Sequence, residues 1–270
     1  MEPYIFYILV LLITGAGIGF LSGLLGVGGG FIMVPIQFWL LTSMGIDPTI
    51  AIRVSLATSL AVILPTALSG AYGHYRKKAV LLRPAAYLGV TGLIGAIIGA
   101  YIASNIPGNI LEFAFGAAAL IVALRMIISR KKEIDEEPKD SAAFYTSCGL
   151  FAGLMSGLLG VGGGFIIVPF MSIVMKYDIH KAIGTSTAII VFIAVGGIIS
   201  YIFNGLGVNG LPPYSVGYVN MLQFVLLVAA SVPMAQLGVK AAHSLPSKQL
   251  NYVFAAMLIL IGLKMMIGIV

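Results

Sequence analysis

Residues 22–36 of this chain, Ser-Gly-Leu-Leu-Gly-Val-Gly-Gly-Gly-Phe-Ile-Met-Val-Pro-Ile, occur a second time as residues 156–170, matching at thirteen of fifteen positions. The copies start 134 residues apart, from Ser22 to Ser156, about half the length of the chain. Such a match marks an internal duplication, and it constrains the fold before any other feature is read. The copied unit is a glycine run inside apolar sequence. Each of three adjacent glycines is about 1 kcal/mol less favourable in a helix than alanine. A helix break kept at the same place in both copies points to a use for the exposed backbone. Later residues match at a second constant offset of 139, pairing Gly99 with Gly238, Pro107 with Pro246, Leu111 with Leu250 and Arg125 with Lys264. The repeat therefore covers whole halves.

The 270 residues are 60% hydrophobic and only 9% charged, too apolar for a soluble domain and suited to a multi-span membrane protein. Lipid leaves only helices or a closed barrel for the backbone. The apolar runs are about twenty residues long and do not alternate with polar residues, which selects helices. The N-terminus carries Glu2 and no Lys or Arg ahead of its first apolar run, so that run reads as a first helix and not as a cleaved signal. Cys148 is the single cysteine, which excludes an internal disulfide and a cysteine-rich metal site. The net charge of +6 fits basic cytoplasmic loops of a membrane protein better than contact with nucleic acid.

Helices are predicted at about 4–25, 31–43, 50–73, 83–104 and 109–129, and again at about 143–160, 165–176, 181–203, 216–240 and 249–269. The fold class is thus an all-α polytopic membrane protein with two repeats, each a Gly-broken hairpin plus three transmembrane helices. The domains are residues 1–128, a charged linker over 129–141, and residues 142–270. Loops around 76–83, 125–139, 176–181 and 240–248 hold thirteen of the fifteen Lys and Arg residues. The positive-inside rule turns these to the cytoplasm, with both termini outside. Each half then crosses an odd net number of times, and the two halves have inverted topology, an arrangement shared by many secondary transporters. The segments after the glycines are short for a full span, so each hairpin either spans or is re-entrant.

The glycines are the first candidate site. Each run precedes a helix start, at Phe31 or Phe165, where free N–H groups and about half a positive charge are presented. Glycine lets that backbone approach a ligand closely. The expectation is an anion site built mostly from backbone at Gly28, Gly29, Gly30 and Phe31 with Gly162, Gly163, Gly164 and Phe165. The competing role is tight helix packing by small residues. No Gly-Lys-Ser/Thr follows the glycines, and no strand precedes them, so neither soluble nucleotide motif fits.

The second candidate is a pair of hydroxyl clusters. Thr58 and Ser59 recur as Thr185 and Ser186, placed to donate to oxyanion oxygens or to bond carbonyls of their own helices. Aligning Asp47 with Asp178 would instead pair Ser55 with Ser186; the Thr-Ser register is preferred because it continues along the helix. Arg53 stands at the outer entrance, to attract anions or to snorkel. Glu112 falls in the first turn after Pro107-Gly108-Asn109, and its repeat partner is Asn251, so no symmetric carboxylate pair supports ion coupling. His74, His180 and His243 lie near helix ends without metal-ligand spacing. No catalytic residue, metal or cofactor is expected. An intramembrane enzyme using Ser59 or Ser186 would need a nearby base, which surface histidines do not supply.

The pattern from Gly17 to Pro35, Gly-x-Gly-Phe-x-Ser-Gly-Leu-Leu-Gly-Val-Gly-Gly-Gly-Phe-x-x-Val-Pro, with its second copy from Gly153 to Pro169, resembles the sulfite exporter family, the TauE/SafE-type permeases. The Thr-Ser pairs fit the same family. The resemblance implies an inner-membrane transporter of two homologous halves. It implies export of sulfur-containing anions such as sulfite, sulfoacetate or related organosulfonates, with the motif falling on the glycines and Thr-Ser pairs named above. The expected partners are a small anionic substrate and the lipid bilayer. The alternative is a channel-like anion facilitator, or a permease for a different small organic anion.

Overall fold

The computed structural model describes residues 2–128, 142–242 and 258–266. The expected linker over 129–141 and much of the expected last helix at 249–269 lie outside the described residues. The chain is helical almost throughout: α1 (Glu2–Leu25), α2 (Gly30–Ser43), α3 (Pro48–Arg76), α4 (Leu82–Asn105), α5 (Gly108–Ile128), α6 (Ala142–Leu159), α7 (Gly164–Pro169), α8 (Ile179–Gly205) and α9 (Met221–Ala242). A helical stretch over 258–266, α10, follows. Seven helices among the described residues are long and apolar enough to cross a membrane: α1, α3, α4, α5, α6, α8 and α9.

The arms returning from the glycine breaks are shorter. α2 has 14 residues, a length of about 21 Å. α7 has six and runs on into a π-helical turn, Phe170–Val174. Neither reaches the roughly 30 Å of a hydrocarbon core.

Equivalent signals start the two most enclosed helices. The Asp47 carboxylate accepts from the N–H groups of Thr49 (2.9 Å) and Ile50 (3.2 Å), ahead of Pro48 at the first position of α3. Asp178 does the same for His180 (2.9 Å) and Lys181 (3.3 Å) at the start of α8. Two expectations are corrected. The segment expected as one helix over 216–240 opens with a hairpin of β1 (Ser215–Val216) and β2 (Val219–Asn220), and α9 begins at Met221. Gly217, at a φ of 56°, lets the hairpin's turn press on the Ile202 carbonyl of α8, which no helical path allows. α5 begins at Gly108, so Glu112 lies beyond its first turn.

The packing is reciprocal. α1 lies along α9, and α6 lies along α4. Gly19 and Gly23 of α1 sit against the carbonyls of Ser231 and Ala235, while Gly238 of α9 sits against the Phe20 carbonyl. The equivalent set serves the other pair: Gly153 and Gly157 of α6 against the carbonyls of Gly92 and Ala96, and Gly99 of α4 against the Leu154 carbonyl. A helix of the first 128 residues thus packs on a helix of the last 129, in both directions. Where small residues line such contacts, backbones approach and dispersion holds the pair. α3 and α8 pack on each other at the centre.

Contacts also sort the loops. The 77–81 loop meets α8, with Gly184 against Ala79. Gly73 abuts Val239 near the end of α9, and His74 Nε2 lies 3.0 Å from the Gly23 carbonyl. The uncharged loops meet elsewhere: Gly108 abuts Thr49, and Arg53 reaches Ile106 and Tyr218. Tyr7, near the start of α1, accepts from Gln223 Nε2 at the start of α9 (2.9 Å). Tyr145, near the start of α6, bonds Tyr177 beside Asp178 (2.6 Å).

The glycine contacts predict a split response. Gly19→Leu and Gly153→Leu each lose about 3 kcal/mol of stability through overpacking. Gly17, with nothing within 4 Å of an added Cβ, gains about 0.5–1 kcal/mol on Gly17→Ala. Thermal unfolding of the detergent-solubilised variants checks both directions.

Candidate functional site

The two glycine turns have the same backbone. Gly26, Gly28 and Gly29 have φ of 65°, 89° and 72°; Gly160, Gly162 and Gly163 have 66°, 90° and 77°. An L-residue in this left-handed region costs roughly 1–2 kcal/mol. Gly29 and Gly163 are the N-caps of α2 and α7, and neither helix has a side chain capping it. Ile32 and Met33 donate back to the Gly29 carbonyl (3.2 and 3.3 Å), as Ile166 and Ile167 do to Gly163 (3.0 and 3.1 Å). Among the described residues no acceptor takes the N–H groups of Gly28, Gly29, Gly30 and Phe31, or those of Gly162, Gly163, Gly164 and Phe165. These turns are buried, where unpaired backbone donors are rare.

The turns touch each other. A Cβ on Gly30 would stand 2.6 Å from both the Gly160 carbonyl oxygen and the Val161 Cα. One on Gly164 would overlap the Gly26 carbonyl and stand 2.8 Å from the Val27 Cα. Gly28 faces the Val161 carbonyl. Phe31 and Phe165 meet edge to face, with centroids 5.1 Å apart, and Phe31 also leans on Phe115 at 5.6 Å. Gly30 and Gly164 therefore permit close packing here. No gap separates the two turns in this conformation.

The Thr-Ser pairs fasten this crossing, each from the other half. Ser59 Oγ donates to the Gly160 carbonyl (2.7 Å), and Ser186 Oγ donates to the Gly26 carbonyl (3.0 Å). Thr58 Oγ1 accepts the Asn220 N–H, and Thr185 Oγ1 accepts the Leu81 N–H, both at 2.9 Å. All four side chains are fully buried. Equivalent bonds at Thr58-Ser59 and Thr185-Ser186 establish the Thr-Ser register. Ser55 instead bonds the Ala51 carbonyl of its own helix at 2.8 Å. The serine protons are committed to the glycine turns. The threonine oxygens hold two loops, and among the described residues no acceptor takes their own protons.

Arg53 is half-buried. Its guanidinium donates to the Ile106 carbonyl (2.9 Å) and the Tyr218 hydroxyl (3.3 Å), and lies over the Tyr218 ring at 5.9 Å. It ties α3 to the α4–α5 turn and the β-hairpin, unlike a snorkelling side chain. Three polar residues of this region were not singled out from sequence: Asn220, Gln223 and Gln37. Asn220 caps α9 by accepting the Gln223 N–H (3.0 Å). The spacing Asn-x-x-Gln ahead of an apolar run was the available signal. Gln37 carries no comparable pattern.

Residues 11–265 match the family model described as "Sulfite exporter TauE/SafE". A probable membrane transporter protein of Haemophilus influenzae is 30% identical over 96% of this chain and 98% of its own. One from Methanocaldococcus jannaschii is 27% identical over 96% and 95%, and YdhB of Bacillus subtilis, also named a probable membrane transporter protein, is 28% identical over 85% and 88%. No solved structure matches the chain. A match spanning nearly the whole chain, over a fold whose described residues include seven helices long and apolar enough to cross a membrane and two glycine-broken arms, makes this protein a multi-pass membrane transporter belonging to the sulfite exporter TauE/SafE family.

Proposed function

We propose that this transporter exports a small sulfur oxyanion or organosulfonate, held by the N–H groups of Gly28, Gly29, Gly30 and Phe31 with those of Gly162, Gly163, Gly164 and Phe165. The observation that carries this reading is the pair of uncapped helix starts whose buried donors have no acceptor among the described residues. Such a helix start attracts negative charge. Thr58 and Thr185 add hydroxyl protons beside the turns. Ser59 and Ser186 hold the turns in shape. Arg53 raises the anion concentration at the entrance it borders.

The halves, residues 1–128 and 142–270 joined by 129–141, are read as inverted repeats. Two contacts support this. The start of α1 lies by the start of α9, next to the uncharged hairpin, whereas the start of α6 lies by Tyr177, next to Lys176 and Asp178. The basic segment 76–83 packs on Gly184 and Thr185, a few residues after the basic segment 176–181, and the positive-inside rule places this end in the cytoplasm of a cell with this chain in its inner membrane. Both termini then face outward. With the two turns in contact, the anion enters only when one half rocks against the other, as alternating access requires.

The threonine bonds seal one loop at each end. Breaking them opens opposite sides: Thr58→Val frees the 215–220 hairpin, and Thr185→Val frees the 77–81 loop. A buried donor left unpaired by either change costs about 1–3 kcal/mol.

Flux in proteoliposomes against sulfite, sulfate, thiosulfate, sulfoacetate, taurine and acetate tests the substrate class. Saturable flux confined to sulfur oxyanions or sulfonates is expected, and flux of acetate alone removes the sulfur assignment. Gly29→Leu and Gly163→Leu abolish that flux while the protein stays in the membrane; wild-type rates in both sink the backbone site. With Cys148 replaced by serine, a membrane-impermeant maleimide labels Ser215→Cys faster in Thr58→Val from outside, and Ala79→Cys faster in Thr185→Val from inside.

A further inference from the structure

Gln37 is fully buried in α2, and neither Nε2 nor Oε1 has a hydrogen-bond partner among the described residues. A buried primary amide with both ends unpaired opposes folding, because water satisfied it in the unfolded chain. Native structures keep such groups where something other than stability requires them.

The second copy of the duplicated segment carries no amide at the matching place. Gln37 stands seven residues after Gly30, and Met171 stands seven residues after Gly164. Met171 is also fully buried. An unbranched apolar side chain of similar length therefore stands at the matching sequence position, in the π-helical turn that follows α7. Residues i and i+7 share a helix face, so Gln37 lies two turns along α2 on the face of Gly30, where α2 meets the opposite turn. The first donors of the same helix are uncapped.

We propose that the Gln37 amide is a substrate-binding group, donating through Nε2 to an oxygen of the transported anion and making the two half-sites chemically unequal. This rests on the anion-transport reading above. An anion with one charged end, such as a sulfonate, would then bind in a single orientation, its oxyanion oxygens toward the half that carries the amide. A symmetric oxyanion would lose less from the loss of Gln37.

The test is Gln37→Met, which installs the side chain already used at position 171, read by melting temperature and by concentration-dependent flux of sulfite and sulfoacetate. The expected result is a melting temperature equal to or above wild type, with at least a tenfold rise in half-saturation and a larger effect on sulfoacetate than on sulfite. Gln37→Glu, which places a carboxylate against the anion, lowers flux further. Wild-type half-saturation in Gln37→Met overturns the assignment of Gln37 and leaves the anion reading standing. A lower melting temperature accompanying lost flux assigns the amide to the fold and also overturns it. Absence of flux for every panel anion in folded wild-type protein removes the anion reading itself, and the proposal with it.

Discussion

Two hydrogen bonds, Ser59 to the Gly160 carbonyl and Ser186 to the Gly26 carbonyl, join each central helix to the other half's glycine turn. Each is worth about 1 kcal/mol taken alone, but they act where the chain has least other support. The turns carry no side chains to pack, their φ angles are accessible mainly to glycine, and their helix starts are uncapped. The serines therefore supply the fixed point from which α2 and α7 are aimed. The neighbouring threonines extend the same logic outward, from the turns to the loop at Leu81 and the hairpin at Asn220.

Much of this was legible in the residues. The duplicated glycine motif located both turns, and apolar run length located the crossing helices to within a few residues. Asp47-Pro48 marked the start of α3 because a carboxylate cap and a proline both have local signatures. The β-hairpin was not legible. Its residues from 216 on read as the start of an apolar helix, and its contact with Ile202 and the cap at Asn220 fix its path.

The Thr-Ser pairs were located by recurrence, but their bonding was not. Local reasoning offered oxyanion oxygens or carbonyls of the same helix, and Ser55 does bond the latter. The observed partners lie 101 and 160 residues away for the serines, and 162 and 104 for Thr58 and Thr185. Spacing within one helix cannot reveal such partners. Gln37 escaped for the opposite reason: a single glutamine in an apolar helix is unremarkable until its burial and its lack of a partner among the described residues are known together.

The exchange of helices between halves has a consequence for how the protein is made. Gly19 of α1 finds its neighbour at Ser231, 212 residues later in the chain. At a synthesis rate of about 5–20 residues per second, α1 waits about 10–40 s in the bilayer before α9 emerges. During that interval its glycine face has no protein against it. α6 waits for nothing, since α4 already stands in the membrane when it inserts. Biogenesis is thus unequal for two halves that share a duplicated motif, and the first half carries the longer exposure to mispairing with neighbouring chains.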